Sequence, residues 1–99
     1  MTSQEDLLDR TLAAIADPTR RRILQALKAV SPSQKTPGSC LCAGEIEERM
    51  KLSQPTISHH MSILTKAGLV EATKQGQWRW YRRNEKVIRK LVTTLRGKL

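Results

Sequence analysis

The stretch that most constrains the fold of this chain runs from Leu52 to Leu69. Its apolar residues Ile57, Met61 and Leu64 recur at the spacing of one helical face. Gly68 then ends the helix before strand-like sequence. The opposite face is polar, carries no carboxylate, and consists of Pro55, Ser58, His59, Ser62 and Lys66, with Gln54 at its leading end. A face of this chemistry suits phosphates and base edges, and therefore indicates binding to nucleic acid.

The charge of the chain also favours a polyanionic partner. Its 99 residues include 18 Lys and Arg against 9 Asp and Glu, which gives a net charge of +9. The segment from Val70 onward holds nine basic and two acidic residues, and so carries +7 of this charge. A localised positive field favours polyanions. We expect double-stranded DNA rather than a membrane, because no segment approaches the ~18 apolar residues that a membrane span needs.

Length and termini limit the organisation of the chain. We expect one domain over residues 1–99, with a modest core that dimerisation often completes at this size. The first residues are acidic and no hydrophobic run follows them, so no signal peptide is predicted. Two cysteines separated by one residue are not a disulfide framework. These features predict a cytoplasmic protein.

The periodicity predicts a mainly α fold with a small β-hairpin. The order is α-α-α-α-β-β-α, which is that of a winged helix-turn-helix (an α+β arrangement). Asp17 is a suitable N-cap and Pro18 a suitable first residue for the second helix. The remaining expected elements are helices over 5–15, 18–29, 43–50 and about 85–96, a loop over 31–39, and strands over 70–74 and 77–83 about a Gln75-Gly76 turn.

Four segments carry a family resemblance, namely Asp17–Leu24, Leu52–His60, Ala67–Val70 and Gly76–Arg82. In this order they resemble the ArsR/SmtB family of bacterial winged-helix repressors, over roughly residues 7–95. The resemblance implies a homodimer that binds an inverted-repeat operator and releases it when an effector binds.

In a helix-turn-helix the second helix enters the major groove, and its first turns contact bases. We place Gln54, Thr56, Ser58 and His59 there, since Gln can pair with adenine through two hydrogen bonds. Lys51 and Ser53 lie where a helix N-terminus meets phosphate. The wing, with Lys74, Gln77 and Arg79, is expected along the backbone or minor groove, where contacts depend on salt.

Several of these residues also have simpler roles. Ser53 is the predicted N-cap of the helix and His60 a half-buried structural residue, while for His59 simple exposure and DNA contact both remain open. Trp78 and Trp80 alternate onto one face of a strand and are interpreted as a hydrophobic clamp onto the body. Residues 20–22, all Arg, are interpreted as a solvated turn at the start of the second helix, with phosphate contact as the alternative.

Cys40 and Cys42 occupy the place where arsenic- and cadmium-sensing relatives carry a Cys-x-Cys pair. Their side chains share a face only in an extended segment, because residues i and i+2 diverge on a helix. Soft thiolates select soft ions such as As(III) or Sb(III), and a helix N-terminus beside them is expected to lower both thiol pKa values. Glu45 stands where some arsenic sensors have a third cysteine. Metalloid binding, a redox switch and no signalling role all remain open.

The two end helices are expected to form the dimer interface. Its candidate residues are Leu7, Leu8, Leu12, Val87, Ile88, Leu91 and Leu95, although these stripes could also complete the core of one protomer. The last helix lacks the Asp and His ligands of zinc-responsive members. We expect no enzyme, since both histidines lie on the reading helix, away from the cysteines. An RNA-binding module is a distant alternative, because a two-stranded wing is a small platform for bases.

Overall fold

The computed structural model describes residues 4–28 and 40–99. Two helices precede the central part of the fold and a third closes the chain. The elements are α1 (Gln4–Ile15), α2 (Pro18–Lys28), β1 (Leu41–Cys42), α3 (Ala43–Met50), α4 (Gln54–Lys66), β2 (Val70–Gln75), β3 (Trp78–Arg83) and α5 (Glu85–Lys98). The predicted fold class is confirmed, with β1 as an addition. The loop expected over 31–39 lies outside the described residues.

The sheet has three antiparallel strands in the order β1-β3-β2. Leu41 pairs with Tyr81 and Cys42 with Trp80. β1 was not predicted, because two residues are too few to show alternation. The β2–β3 turn is also shifted by one residue from the prediction. Gln75 pairs with Trp78, so the connecting residues are Gly76 and Gln77. Gly76 has φ +61, which suits glycine at the first central position of a hairpin turn.

The core lies where α2, α3 and α4 meet the inner face of the sheet. The predicted apolar stripe of α4, Ile57, Met61 and Leu64, is at most 1% exposed. α2 contributes Ile23, Leu24 and Leu27, and α3 contributes Ile46 and Met50, all as predicted. α1 and α5 cover this core with partly buried side chains. Each amphipathic helix thus buries one face and leaves the other exposed. None of the described helices is both long enough and apolar enough to cross a membrane.

The corner between α1 and α2 is held by side chains that bond to the backbone. Oδ1 of Asp17 accepts the N–H of Arg20 at 3.0 Å, which confirms the predicted N-cap. The Arg20 Nε donates to the Ala14 carbonyl at 2.6 Å, and Arg21 donates to the Ile15 carbonyl at 2.6 Å. These carbonyls belong to the last turn of α1, where the backbone provides no helical N–H donor for them. Arg20 is half-buried, so the interpretation of residues 20–22 as a solvated turn is wrong for this residue, whereas Arg21 and Arg22 are exposed.

A tight turn joins α3 to α4. Lys51 adopts the left-handed conformation, φ 56 and ψ 43, and donates its N–H to the Glu47 carbonyl at 2.8 Å. Ser53 stands at the N-cap position of α4, as predicted. Its hydroxyl does not cap the backbone, however, and lies 3.0 Å from the Thr56 Oγ1 instead. The turn fixes the direction in which α4 leaves the core.

Candidate nucleic-acid interface

The polar face of α4 is exposed to solvent along its length. Gln54, Ser58 and His59 are exposed and Thr56 is half-buried. Ser53 and Lys51, just before the helix, are exposed as well. α4 contains no acidic residue, so nothing on this face repels phosphate. The residues predicted to contact DNA from this helix are therefore brought to one accessible surface.

His60 does not belong to this surface. It is half-buried, as predicted, and its Nδ1 lies 3.3 Å from the Arg20 Nη1. The ring faces the α1–α2 corner, while the neighbouring His59 stays exposed. Two adjacent histidines thus have different surroundings, because successive residues of a helix point about 100° apart.

The wing presents basic side chains beside α4. Lys74 and Arg79 are directly paired across β2 and β3, so they share one face of the hairpin. Lys74, Gln77 and Arg79 are all exposed. The predicted hydrophobic clamp is wrong for Trp78, which is 56% exposed. Trp80 is half-buried, and Tyr81, on the opposite face of β3, is the aromatic residue that packs into the core.

Part of the positive charge after Val70 is already paired within the chain. The Arg82 guanidinium lies 2.6 Å from a Glu71 carboxylate oxygen, and Arg83 pairs with Glu85 at 2.9 Å. Both pairs lie away from the turn of the wing. The exposed charge near the tip of the wing comes instead from Lys74 and Arg79.

Both cysteines precede α3 rather than lying within it. Cys42 is the N-cap of α3 and, with Leu41, forms β1, and Cys40 directly precedes this strand. They are 7% and 8% exposed. The Glu45 carboxylate accepts the Cys42 N–H at 3.2 Å. Burial raises the pKa of the Cys42 thiol, so the expectation of a lowered value is wrong for this residue. In residues 4–28 and 40–99, no group of three or more His, Cys, Asp or Glu side chains is placed to hold a metal ion.

A groove of about 320 Å³ lies between α1 and α5. Four of the candidate dimer residues line it, namely Leu7, Leu8, Val87 and Leu91. The other three, Leu12, Ile88 and Leu95, are partly buried against the core. Lys86 and Lys90 stand at the groove with Thr11 and Thr94.

Comparison with known proteins gives consistent matches. Residues 15–73 match the model of a helix-turn-helix domain family. The chain is 37% identical to the transcriptional repressor SdpR of Bacillus subtilis, over 82% of this chain and 80% of that protein. It is 33% identical to an arsenical resistance operon repressor of Staphylococcus aureus, over 89% of this chain and 76% of that protein.

Solved structures share the fold. One is a homodimeric winged helix-turn-helix DNA-binding domain from Mycobacterium bovis, a possible ArsR-family transcriptional regulator, with a TM-score of 0.70 and 24% identity. The match covers 94% of this chain and 79% of that one. The relatives are transcriptional regulators, in agreement with the prediction that the chain is not an enzyme. The chain belongs to the ArsR family of DNA-binding, winged helix-turn-helix transcriptional repressors.

Proposed function

We propose that two copies of the chain bind an inverted-repeat operator, with α4 of each copy in the major groove. The observation that carries this proposal is the exposed, carboxylate-free face of α4. A helix fits the major groove, where the pattern of donors and acceptors differs for every base pair. Such a repressor acts on the chromosome, so we also propose a cytoplasmic location.

Each candidate residue has a role in this proposal. Gln54, in the first turn of α4, pairs with adenine, and Ser58 and His59 contact bases one turn further on. Thr56 is oriented by its contact with Ser53. Three more residues act on the backbone: Lys51 in the turn before α4, and Lys74 and Arg79 on the wing. Gln77 lies at the turn of the wing, where a minor-groove contact is in reach.

A homodimer is supported by the surface that one protomer leaves open. The groove between α1 and α5 is lined mainly by apolar side chains, and Val92 of α5 is 59% exposed. The domain from Mycobacterium bovis, which shares the fold, is homodimeric. A twofold protein reads a twofold operator, with half-sites about one helical turn apart.

The DNA-reading proposal is tested by selecting operators from a random duplex library with the wild-type protein. We expect an enriched inverted repeat, bound about tenfold or more weakly by Gln54→Ala, since a two-bond base contact is worth ~1–3 kcal/mol. Gln25→Ala, on the exposed face of α2, is the matched control and should bind as the wild type does. A preference for single-stranded RNA over every duplex at ~0.15 M salt would overturn the proposal in favour of an RNA-binding module.

For regulation, we propose that Cys40 and Cys42 form a two-thiolate site for a soft ion such as As(III) or Sb(III). Their place directly before α3 supports this, because residues i and i+2 share a face in extended chain and diverge within a helix. Two thiolates suit soft ions, and the adjacent Glu45 leaves the site without a third sulfur. The start of α3, and hence the support of α4, lies directly beside it.

This effector proposal is tested on the operator complex. We expect As(III) to release the wild-type protein and not a Cys40→Ser/Cys42→Ser variant. Cys42 is paired with Trp80, so As(III) should also change the fluorescence of a Trp78→Phe variant, in which Trp80 is the remaining tryptophan. Release by oxidant alone would replace the proposal with a redox switch. No response to As(III), Cd(II) or oxidant would leave a repressor without a thiol signal.

A further inference from the structure

A second cleft separates α4 from the wing. It measures about 230 Å³ and lies on the side of α4 that faces the inner surface of the hairpin. Its lining consists of Ser58, Met61, Ser62, Thr65, Lys66, Ala72, Arg79 and Tyr81. Of these, Ser58 and Arg79 were predicted individually to contact DNA, Ser62 and Lys66 were predicted only as part of the polar face of α4, and no signal in the sequence joined this face to Arg79.

The chemistry of this cleft is that of an anion site. Ser58, Ser62 and Lys66 recur every four residues, so they form one row along α4. Arg79 stands on the opposite wall, on β3. Among the described residues, no carboxylate lines the cleft. In the part of the chain that the structure describes, neither Lys66 nor Arg79 has an ion-pair partner, in contrast to Arg82 and Arg83.

The hydroxyls of the cleft are not equivalent. The Thr65 hydroxyl donates to the Met61 carbonyl at 2.7 Å within α4. Its proton is therefore not available to an anion in the cleft. Ser58 and Ser62 are exposed and have no hydrogen bond of this kind among the described residues. Met61 and Tyr81, both buried, form an apolar floor. An anion with an apolar flank, such as a phosphodiester with its deoxyribose, matches this combination of groups.

The position of the cleft indicates which anion it binds. If α4 lies in the major groove and the wing reaches the adjacent minor groove, the sugar–phosphate strand that divides the two grooves must pass between them. We propose that the α4–wing cleft seats this strand, with one phosphate held between Lys66 and Arg79 and contacted by Ser58 or Ser62. The inference rests on the proposed DNA-binding function and adds Ser62 and Lys66 to it. Contacts of this kind set the register of a protein on the duplex without reading its sequence.

The test uses the operator selected by the wild-type protein. Each phosphate of one half-site is replaced in turn by a neutral methylphosphonate. We expect one or two neighbouring positions at which the replacement weakens wild-type binding about tenfold, equivalent to ~1.4 kcal/mol. The same replacements should cost little in Lys66→Gln or Arg79→Gln, because the positive partner is already gone.

Arg96→Gln is the charge-matched control. Arg96 is exposed in the last turn of α5, and it does not line the cleft. This variant should keep the full cost at the sensitive phosphates. The log–log slope of affinity against salt should fall by about one unit in Lys66→Gln and in Arg79→Gln, because each variant neutralises one phosphate fewer. Equal responses of all three variants to every methylphosphonate would overturn the inference.

The experiment also distinguishes two other outcomes: a protein that does not bind DNA, and a cleft that binds a free anion. If the wild type enriches no duplex at all, the proposed DNA-binding function fails, and not the cleft alone. Inorganic phosphate is titrated into isotope-labelled protein without DNA to test a free anion as the occupant. Saturable shifts at the Ser62 and Lys66 amides, together with no methylphosphonate effect, would overturn the inference in favour of a small-anion site.

Discussion

The Arg20 side chain joins the corner of α1 and α2 to the middle of α4 through His60. Its Nη1 lies 3.3 Å from the His60 Nδ1, while Nε and Nη2 donate to the Ala14 and Ala13 carbonyls at 2.6 and 3.2 Å. A guanidinium can only donate, so the His60 Nδ1 is the acceptor in this contact. One side chain thereby satisfies the end of α1 and contacts the middle of α4.

Arg20→Met should destabilise the protein by about 2 kcal/mol, because hydrogen bonds to charged groups are worth ~1.5–3 kcal/mol and the Ala14 carbonyl loses the Arg20 Nε donor. Urea unfolding at neutral pH measures the change. Arg22→Met is the matched control, since Arg22 is exposed on the same helix, and should stay within about 0.5 kcal/mol of wild type. Equal stability of the two variants would contradict the role given to Arg20.

Asp17 gives the stability a dependence on pH. The Arg20 N–H that its carboxylate accepts lowers the pKa of Asp17 below the ordinary value of 3.8. The charged form is therefore favoured in the folded state, and its contribution is present above pH 3.8 and is lost as the pH falls through the lower folded value. Asp17→Asn keeps a capping oxygen without the charge.

We therefore expect wild type to be more stable than Asp17→Asn at neutral pH, with the difference shrinking as the pH drops below 3.8. Urea unfolding of both proteins across this range is the measurement. A difference that stays constant down to the lowest pH would show that the charge has no part in the capping.

Substitutions at two glycines test the cost of backbone conformation alone, because both positions have room for a side chain. A Cβ built at Gly76 or Gly44 meets no atom within 4 Å, but only Gly76 has a positive φ, +61. Gly76→Ala should destabilise the protein by about 1 kcal/mol, because L-residues are strained there. Gly44→Ala, within α3, should stabilise it by ~0.4–1 kcal/mol. Thermal unfolding of the pair would contradict this account if both changes had the same sign.

The groove between α1 and α5 predicts a change of oligomeric state. Leu7→Glu places a charge in the groove and should convert the proposed dimer to a monomer, because an interfacial carboxylate loses its water without gaining a partner. Sedimentation velocity at micromolar concentration measures the effect. Gln25→Glu adds the same charge to the exposed surface of α2 and should leave the dimer intact. A Leu7→Glu protein that remains a folded dimer would exclude this interface.

The helices could be predicted because their signals are local. The i, i+4, i+7 stripe of α4 and the Asp17-Pro18 start of α2 depend on residues close in sequence. The α3 bounds, Ala43–Met50, agree with the prediction. β1 could not be predicted, since two residues acquire strand geometry only through their partners Tyr81 and Trp80. The shift of the wing turn by one residue is similarly a matter of cross-strand register.

Some features of the candidate site could likewise be predicted from the sequence, and others could not. The residue types on the face of α4 and the excess of basic residues after Val70 were already present in the order of amino acids. The exposure of Trp78, the burial that raises the pKa of Cys42, and the bonds of Arg20 depend on what lies nearby in space. Alternation assigned Trp78 to a face of β3 and could not say whether anything covered that face.

The sequence by itself therefore determined the helices, the polar face of α4 and the sign of the field around it. These properties follow from periodicity and composition, which act over a few residues at a time. Only the tertiary structure decided that Lys66 of α4 and Arg79 of β3 line one cleft, and that Arg20 holds His60. Both relationships join residues distant in sequence, and they exist only because burial of the shared core fixes the positions of α4, the sheet and the α1–α2 corner.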